Sequence, residues 1–137
     1  MKTIIKGKSL VGGSTEGTLI VSHEPFSFFG GFSFKTGSIV DTRSDVYQEV
    51  LKDKIFAFPC GKGSSSTAGV LLEALRKGIA PRAIININSE KILAIGSIVA
   101  EKMYGLNLPI ISISEDDYQL LKTGLFVRIN NEIIEIM

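Results

Sequence analysis

One cysteine, one histidine and no tryptophan stand among the 137 residues, and each shortage removes a class of chemistry. A lone thiol, Cys60, cannot close an internal disulfide. Nor can it alone hold structural zinc or an iron–sulfur cluster, each of which takes about four ligands. Any such group would belong to a partner. A Ser-His-Asp triad cannot be built beyond what His23 alone allows, and that residue is expected to serve as a structural hydrogen-bonding group. Fifteen Lys and Arg against 14 Asp and Glu give a net charge of +1 with no basic cluster, so the electrostatic footprint of a nucleic-acid or anionic-membrane binder is missing. No apolar run approaches the roughly 20 residues that span a bilayer, and Met1-Lys2-Thr3-Ile4-Ile5-Lys6 is no signal peptide, so a cytoplasmic location is expected.

What is present is aliphatic. Hydrophobic residues make up 45% of the chain and aromatics only 8%, which predicts a core of Ile, Val and Leu in one domain over residues 1–137. Periodicity predicts strands at Thr3–Lys6, Gly17–Val21, Lys54–Phe58, Ala83–Ile87, Pro109–Ile113, Leu125–Ile129 and Glu132–Ile136. Three helices fit between them. The first, Thr67 to Lys77, puts Val70, Leu71, Ala74 and Leu75 on one face and stops at Gly78. A second runs from a Ser89 cap to Gly105, and a third opens with the capping box Ser114-x-x-Asp117 and ends at Gly124. Asn130-Asn131 suits a tight hairpin, because Asn tolerates positive φ. After residue 54 the strand–helix alternation implies parallel strands with right-handed crossovers, an α/β fold with a mostly parallel central sheet and ligands beyond the strands' carboxyl ends.

Gly61-Lys62-Gly63-Ser64-Ser65-Ser66 lies at such an end, between an apolar strand and the first predicted helix. Two glycines permit close backbone approach, and the serines fall where a helix leaves its first N–H groups unpaired. A helix N-terminus carries roughly half a positive charge, so it can hold a phosphate or carboxylate or stabilise a serine alkoxide acting as base. The plainer alternative is that one serine simply caps the helix. Cys60 beside this loop is either a small buried hydrophobe or a reactive thiol.

A second segment, running from His23 through Phe26-Ser27-Phe28-Phe29-Gly30-Gly31-Phe32, is too aromatic for an ordinary solvated loop. Ser27, Phe28, Phe29, Gly30 and Gly31 are read as a lid or a surface buried against another chain, the alternative being a core-filling loop. From Phe26 to Val50 there is little regular pattern, and a loop that long in a small domain is usually functional. Gly7-Lys8-Ser9 is not a P-loop, since Lys2 stands where the leading Gly should be. The paired carboxylates Asp116-Asp117 read as first-turn capping residues.

Four spaced motifs, Glu24-Pro25-Phe26-Ser27-Phe28-Phe29-Gly30-Gly31, Thr36-Gly37-Ser38-Ile39-Val40-Asp41, Gly61-Lys62-Gly63-Ser64-Ser65-Ser66 and Ala80-Pro81-Arg82-Ala83-Ile84, resemble the small subunit of aconitase X. This family includes phosphomevalonate dehydratase and cis-3-hydroxy-L-proline dehydratase. The resemblance implies a swivelling β/β/α domain that closes on a large subunit carrying an iron–sulfur cluster. It also implies that Ser64 removes a proton from carbon while the cluster takes the departing hydroxyl. Gly63, Ser65, Ser66, Lys62 and Arg43 are the expected substrate-binding residues, Lys62 and Arg43 because a phosphorylated substrate carries up to two negative charges. Arg43-Ser44-Asp45 resembles the phosphomevalonate type, from which follows dehydration of (R)-5-phosphomevalonate to trans-anhydromevalonate 5-phosphate. By contrast, Val70-Leu71-Leu72-Glu73-Ala74-Leu75 and Ile98-Val99-Ala100-Glu101 resemble the bacterial hydroxyproline type, so the substrate stays open between the two. The same fold serves phosphohistidine carriers, but this loop lacks their histidine; a non-catalytic binding module is the remaining alternative.

Overall fold

A computed structural model describes residues 3–61, 66–88 and 91–137, with Phe29, Ser66 and Thr67 described by backbone alone. Eight strands form one sheet in the order β1-β8-β7-β3-β4-β5-β6-β2. They are β1 (Thr3–Lys6), β2 (Lys8–Val11), β3 (Ser14–Val21), β4 (Lys54–Ala57), β5 (Ala83–Asn86), β6 (Ile110–Ser112), β7 (Phe126–Asn130) and β8 (Ile133–Ile136). Four helices, α1 (Phe28–Gly31), α2 (Ser66–Lys77), α3 (Lys91–Tyr104) and α4 (Glu115–Tyr118), complete the described elements.

The expectation of a mostly parallel sheet is corrected: the sheet is mixed. β3, β4, β5 and β6 pair in parallel through crossovers that carry α1, α2 and α3 in turn, whereas β7 pairs antiparallel with both β3 and β8, β8 with β1, and β2 with β6. The physical reason lies in the connections. Parallel neighbours need a long crossover, but Asn131-Glu132 joins β7 to β8 in a two-residue turn, with Asn131 at φ 53°.

Side-chain alternation along the central strands divides the core in two. Phe56, Phe58, Ile84 and Ile110 face Leu71 and Ala74 of α2 and Leu93 of α3. Ile55, Ala57, Ala83 and Ile85 point the other way and meet Ile5, Val127, Ile129, Ile134 and Ile136, so β1, β7 and β8 fold over as a second β-layer. The result is the β/β/α layering that was expected. On the helical side, α2 and α3 pack against each other, and a Cβ at Gly96 would lie 3.0 Å from the Ala68 carbonyl oxygen. Only the smallest residue permits that approach.

β2 was not anticipated, and its consequence is large. β1 and β2 occupy the two ends of the strand order yet are joined by a single residue, Gly7, whose N–H donates to the Glu132 carbonyl at 2.7 Å. A Cβ there would run into the Ser112 carbonyl and approach Ile113 Cγ2 to 2.8 Å. Further differences are local. β3 begins at Ser14 instead of Gly17, and the third helix is the single turn α4, capped as expected by Ser114 Oγ accepting from the Asp117 N–H at 3.1 Å. No described helix is long and apolar enough to cross a membrane.

The aromatic segment is where the sequence reading of Phe28 is overturned. Phe28 is only 1% exposed, and Phe26 and Phe32 are buried with it. Its ring meets those of Phe26, Phe32, Phe56 and Phe58 at centroid distances of 5.0, 5.7, 6.4 and 6.2 Å, mostly edge to face. It fills the core beneath the long segment and presents no surface to another chain. The alternation of Phe56 and Phe58 toward one face creates an aromatic floor that Phe26 and Phe28 cover.

Candidate functional site

At the carboxyl ends of β3, β4, β5 and β6 the chain passes from apolar strand to polar turn. Beyond β4, Pro59-Cys60-Gly61 continues the ladder: the Phe26 N–H donates to the Cys60 carbonyl at 3.0 Å, and the Pro59 carbonyl accepts from Ile87 and Asn88 N–H at 2.9 and 3.1 Å. Isolated bridges pair Phe26 with Gly61 and Cys60 with Asn88. Gly61 therefore leaves the sheet between Phe26 and Asn88, and α2 starts at Ser66. Lys62, Gly63, Ser64 and Ser65 lie outside the described residues, as does the side chain of Ser66, so the catalytic and four of the substrate-binding expectations are placed only through these flanks. Cys60 is half-buried.

A cavity flanks each side of this exit. One, of about 420 Å³, is lined by Ser27, Gly30, Gly31, Val40, Asp41, Thr42 and Arg43. Arg43 and the described lid residues Ser27, Gly30 and Gly31 are thus brought together, whereas Phe28 is withdrawn beneath them and the Phe29 side chain lies outside the description. The Arg43 side chain is 88% exposed, with Nε 3.6 Å from Asp41 Oδ1, and its backbone N–H donates to the same oxygen at 3.0 Å. The other cavity, about 330 Å³, is lined by Lys8, Leu10, Ile87, Asn88, Lys91 and Ser112. A third concavity, of about 230 Å³, sits beside the amino end of β3, away from these strand ends.

Two polar arrangements that sequence reasoning missed hold the rim in place. Asn86 is fully buried in β5, and its Nδ2 donates to the Phe58 carbonyl at 2.8 Å, tying the ends of β4 and β5 together. An Asn closing the apolar run Ala83-Ile84-Ile85 is the signal that could have flagged it. At the end of β3, Ser22 Oγ donates to Asp45 Oδ1 at 2.6 Å, while the His23 backbone N–H donates to Asp45 Oδ2 at 2.8 Å. Asp45 thereby fastens the long segment that carries Asp41 and Arg43. Tyr118 OH donates to the Ser22 carbonyl at 2.6 Å from below. Burial, and secondarily the charge of Asp45, drive the Tyr118 hydroxyl well above the ordinary tyrosine range.

The described residues contain no group of three or more His, Cys, Asp or Glu placed to hold a metal ion, and Cys60 is the one cysteine.

A β/β/α domain with a glycine-serine segment leading from the carboxyl end of a parallel strand into a helix is the architecture of swivelling domains. The family model of the aconitase X swivel domain matches residues 4–136, and this chain belongs to that family. It is 40% identical over 128 residues to the phosphomevalonate dehydratase small subunit of Pyrococcus furiosus, covering 93% of this chain and 90% of that one. It is 38% identical over 125 residues to the cis-3-hydroxy-L-proline dehydratase of Hypocrea jecorina, spanning 91% of this chain but only 21% of that protein's length. The crystal structure of Thermococcus kodakaraensis aconitase X in its holo-form superposes with a TM-score of 0.89 at 36% identity, covering 98% of each chain.

Proposed function

We propose that this chain is the small subunit of an aconitase X-type hydro-lyase that, with an iron–sulfur large subunit, dehydrates (R)-5-phosphomevalonate to trans-anhydromevalonate 5-phosphate. The observation that carries the reading is similarity over nearly the whole chain to several relatives named phosphomevalonate dehydratase small subunit. In this reading Ser64 Oγ takes the proton from carbon, the C–C double bond forms as the C–O bond breaks, and the hydroxyl departs on the partner's side of the site. A serine alkoxide is too strong a base to persist in water, so it needs preorganised N–H donors and a closed, dry site. The start of the 12-residue α2, following Gly61 at the strand end, supports that role. Gly63, Ser65, Ser66 and Lys62 are assigned to the substrate with it, and the 420 Å³ cavity containing Arg43 supports placing the partner on that side. A cytoplasmic location goes with this reading.

The similarity to the Hypocrea protein favours one second reading, the swivelling part of a cis-3-hydroxy-L-proline dehydratase. Reconstitution with the cluster-loaded large subunit, followed by ³¹P NMR of phosphomevalonate and parallel analysis of cis-3-hydroxy-L-proline, separates the two. Turnover of phosphomevalonate only when both chains are present is the expected result. Activity on hydroxyproline alone would transfer the assignment, and turnover by this chain without partner or metal would refute the two-subunit reading altogether.

A further inference from the structure

We propose that Lys8 and Lys91 form the subsite that receives the phosphate of the substrate, in place of the Arg43 side of the strand ends. This inference rests on the dehydratase reading for the identity of the phosphate, but its geometric basis is independent. The cavity beside the β3–β7 pair contains Glu16 opposite Arg128, 3.5 Å apart, and the one beside Arg43 contains Asp41. Among the described residues each of these linings sets one carboxylate beside one arginine. Among the described residues the 330 Å³ cavity is lined by two lysines and no carboxylate, and neither lysine is in an ion pair with a described residue. Two like charges on one concave wall repel, and a dianion placed between them converts that repulsion into attraction.

The fold brings them together from distant parts of the sequence. Lys8 lies on β2 directly opposite Ser112 of β6, so the two side chains share a face of the sheet. Ser112 Oγ already donates to the Ile87 carbonyl at 2.6 Å, which leaves the two ammonium groups as the charged anion donors, beside the Asn88 amide. Lys91 is the first residue of the 14-residue α3, where the helix adds partial positive charge of its own. Asn88, in the same lining, pairs with Cys60, one residue before Gly61. The lysines therefore stand at the same strand ends from which the glycine-serine segment departs, with a cavity suited to a small charged group.

Inorganic phosphate is the probe. Titrated at constant ionic strength into the ¹⁵N-labelled chain, it should produce saturable shifts at the Lys8, Asn88 and Ser112 amides. In the Lys8→Gln/Lys91→Gln double variant the apparent affinity should fall roughly tenfold, the loss expected for two partly solvated charges. In the reconstituted complex the same variant should raise KM for phosphomevalonate by about tenfold with kcat changed less than twofold, the pattern of lost ground-state binding. Absence of shifts at these amides, or shifts that survive in the double variant, would overturn the subsite. So would a complex active on phosphomevalonate whose KM ignores both lysines, a result that leaves the dehydratase reading standing. A complex active only on cis-3-hydroxy-L-proline would instead remove that reading and the phosphate role together.

Discussion

Replacing Phe28 with Ala distinguishes a core residue from an interface residue, because the two roles move different measurements. The ring is 1% exposed and packs against four other phenylalanines at 5.0 to 6.4 Å. Truncating a buried Phe to Ala costs about 3–5 kcal/mol, combining lost transfer energy with the cavity left behind. The edge-to-face pairs would place this site in the upper half of that range. Since a domain of this size holds only about 5–15 kcal/mol in total, the variant should lose roughly a quarter or more of its stability. Phe28→Leu, which keeps most of the volume, should lose about 1.5 kcal/mol. Urea denaturation of the isolated chain, followed by circular dichroism, reads both values without any partner. If Phe28→Ala shifted the midpoint by less than the equivalent of about 1 kcal/mol while weakening large-subunit binding, the buried placement would be wrong and the interface reading would return.

Ser64→Ala should leave the fold intact, at a cost of at most about 0.5–2 kcal/mol if a cap is lost, yet lower turnover of the reconstituted enzyme about a hundredfold or more; loss of activity only in proportion to stability would make the serine a cap. Tyr118 binds its proton more tightly folded than unfolded, so its contribution is complete below the ordinary value of 10.0 and is lost as pH rises above it. Stability should therefore fall by up to about 1.4 kcal/mol per pH unit over that interval, and Tyr118→Phe should flatten the decline. Gly7→Ala should destabilise the chain by about 1–3 kcal/mol, since the β1–β2 joint must move away from Ser112 and Ile113; unchanged thermal unfolding would contradict the close approach. Asp45→Ala frees Ser22 Oγ and the His23 N–H, and about 1 kcal/mol of stability should go with faster exchange of the His23 amide.

The parallel core and its helices were legible because Lys54–Phe58, Ala83–Ile87 and the α2 face carry strong local patterns. β2 was not, because Lys8-Ser9-Leu10-Val11 is short, half exposed and without alternation, and only its pairing with β6 makes it a strand. The antiparallel β7–β8 hairpin was legible from its turn, but its place in the sheet was hidden: β7 on β3 is a pairing between residues more than a hundred positions apart, and local propensity says nothing about it. For the site, the glycine-serine segment announced itself through local chemistry. Phe28 misled because composition reports apolarity without saying which surface it meets. Asp45, Lys8 and Lys91 acquire meaning only from what the fold sets beside them.

The single-residue joint at Gly7 also dictates an order of events. β1 is made early but finds its partner in β8, where Thr3 pairs with Ile136, while β2 a residue later needs β6. Both strands must wait for most of the chain to be synthesised, and then dock at opposite ends of the sheet without slack between them. Such non-local closure costs loop entropy before any contact returns it, so folding should be slow for the size of the chain, with β1 joining late. Until then the apolar β7–β8 hairpin keeps an open edge. In a growing cell that interval, more than the finished fold, is when the chain is open to mispairing with its own copies.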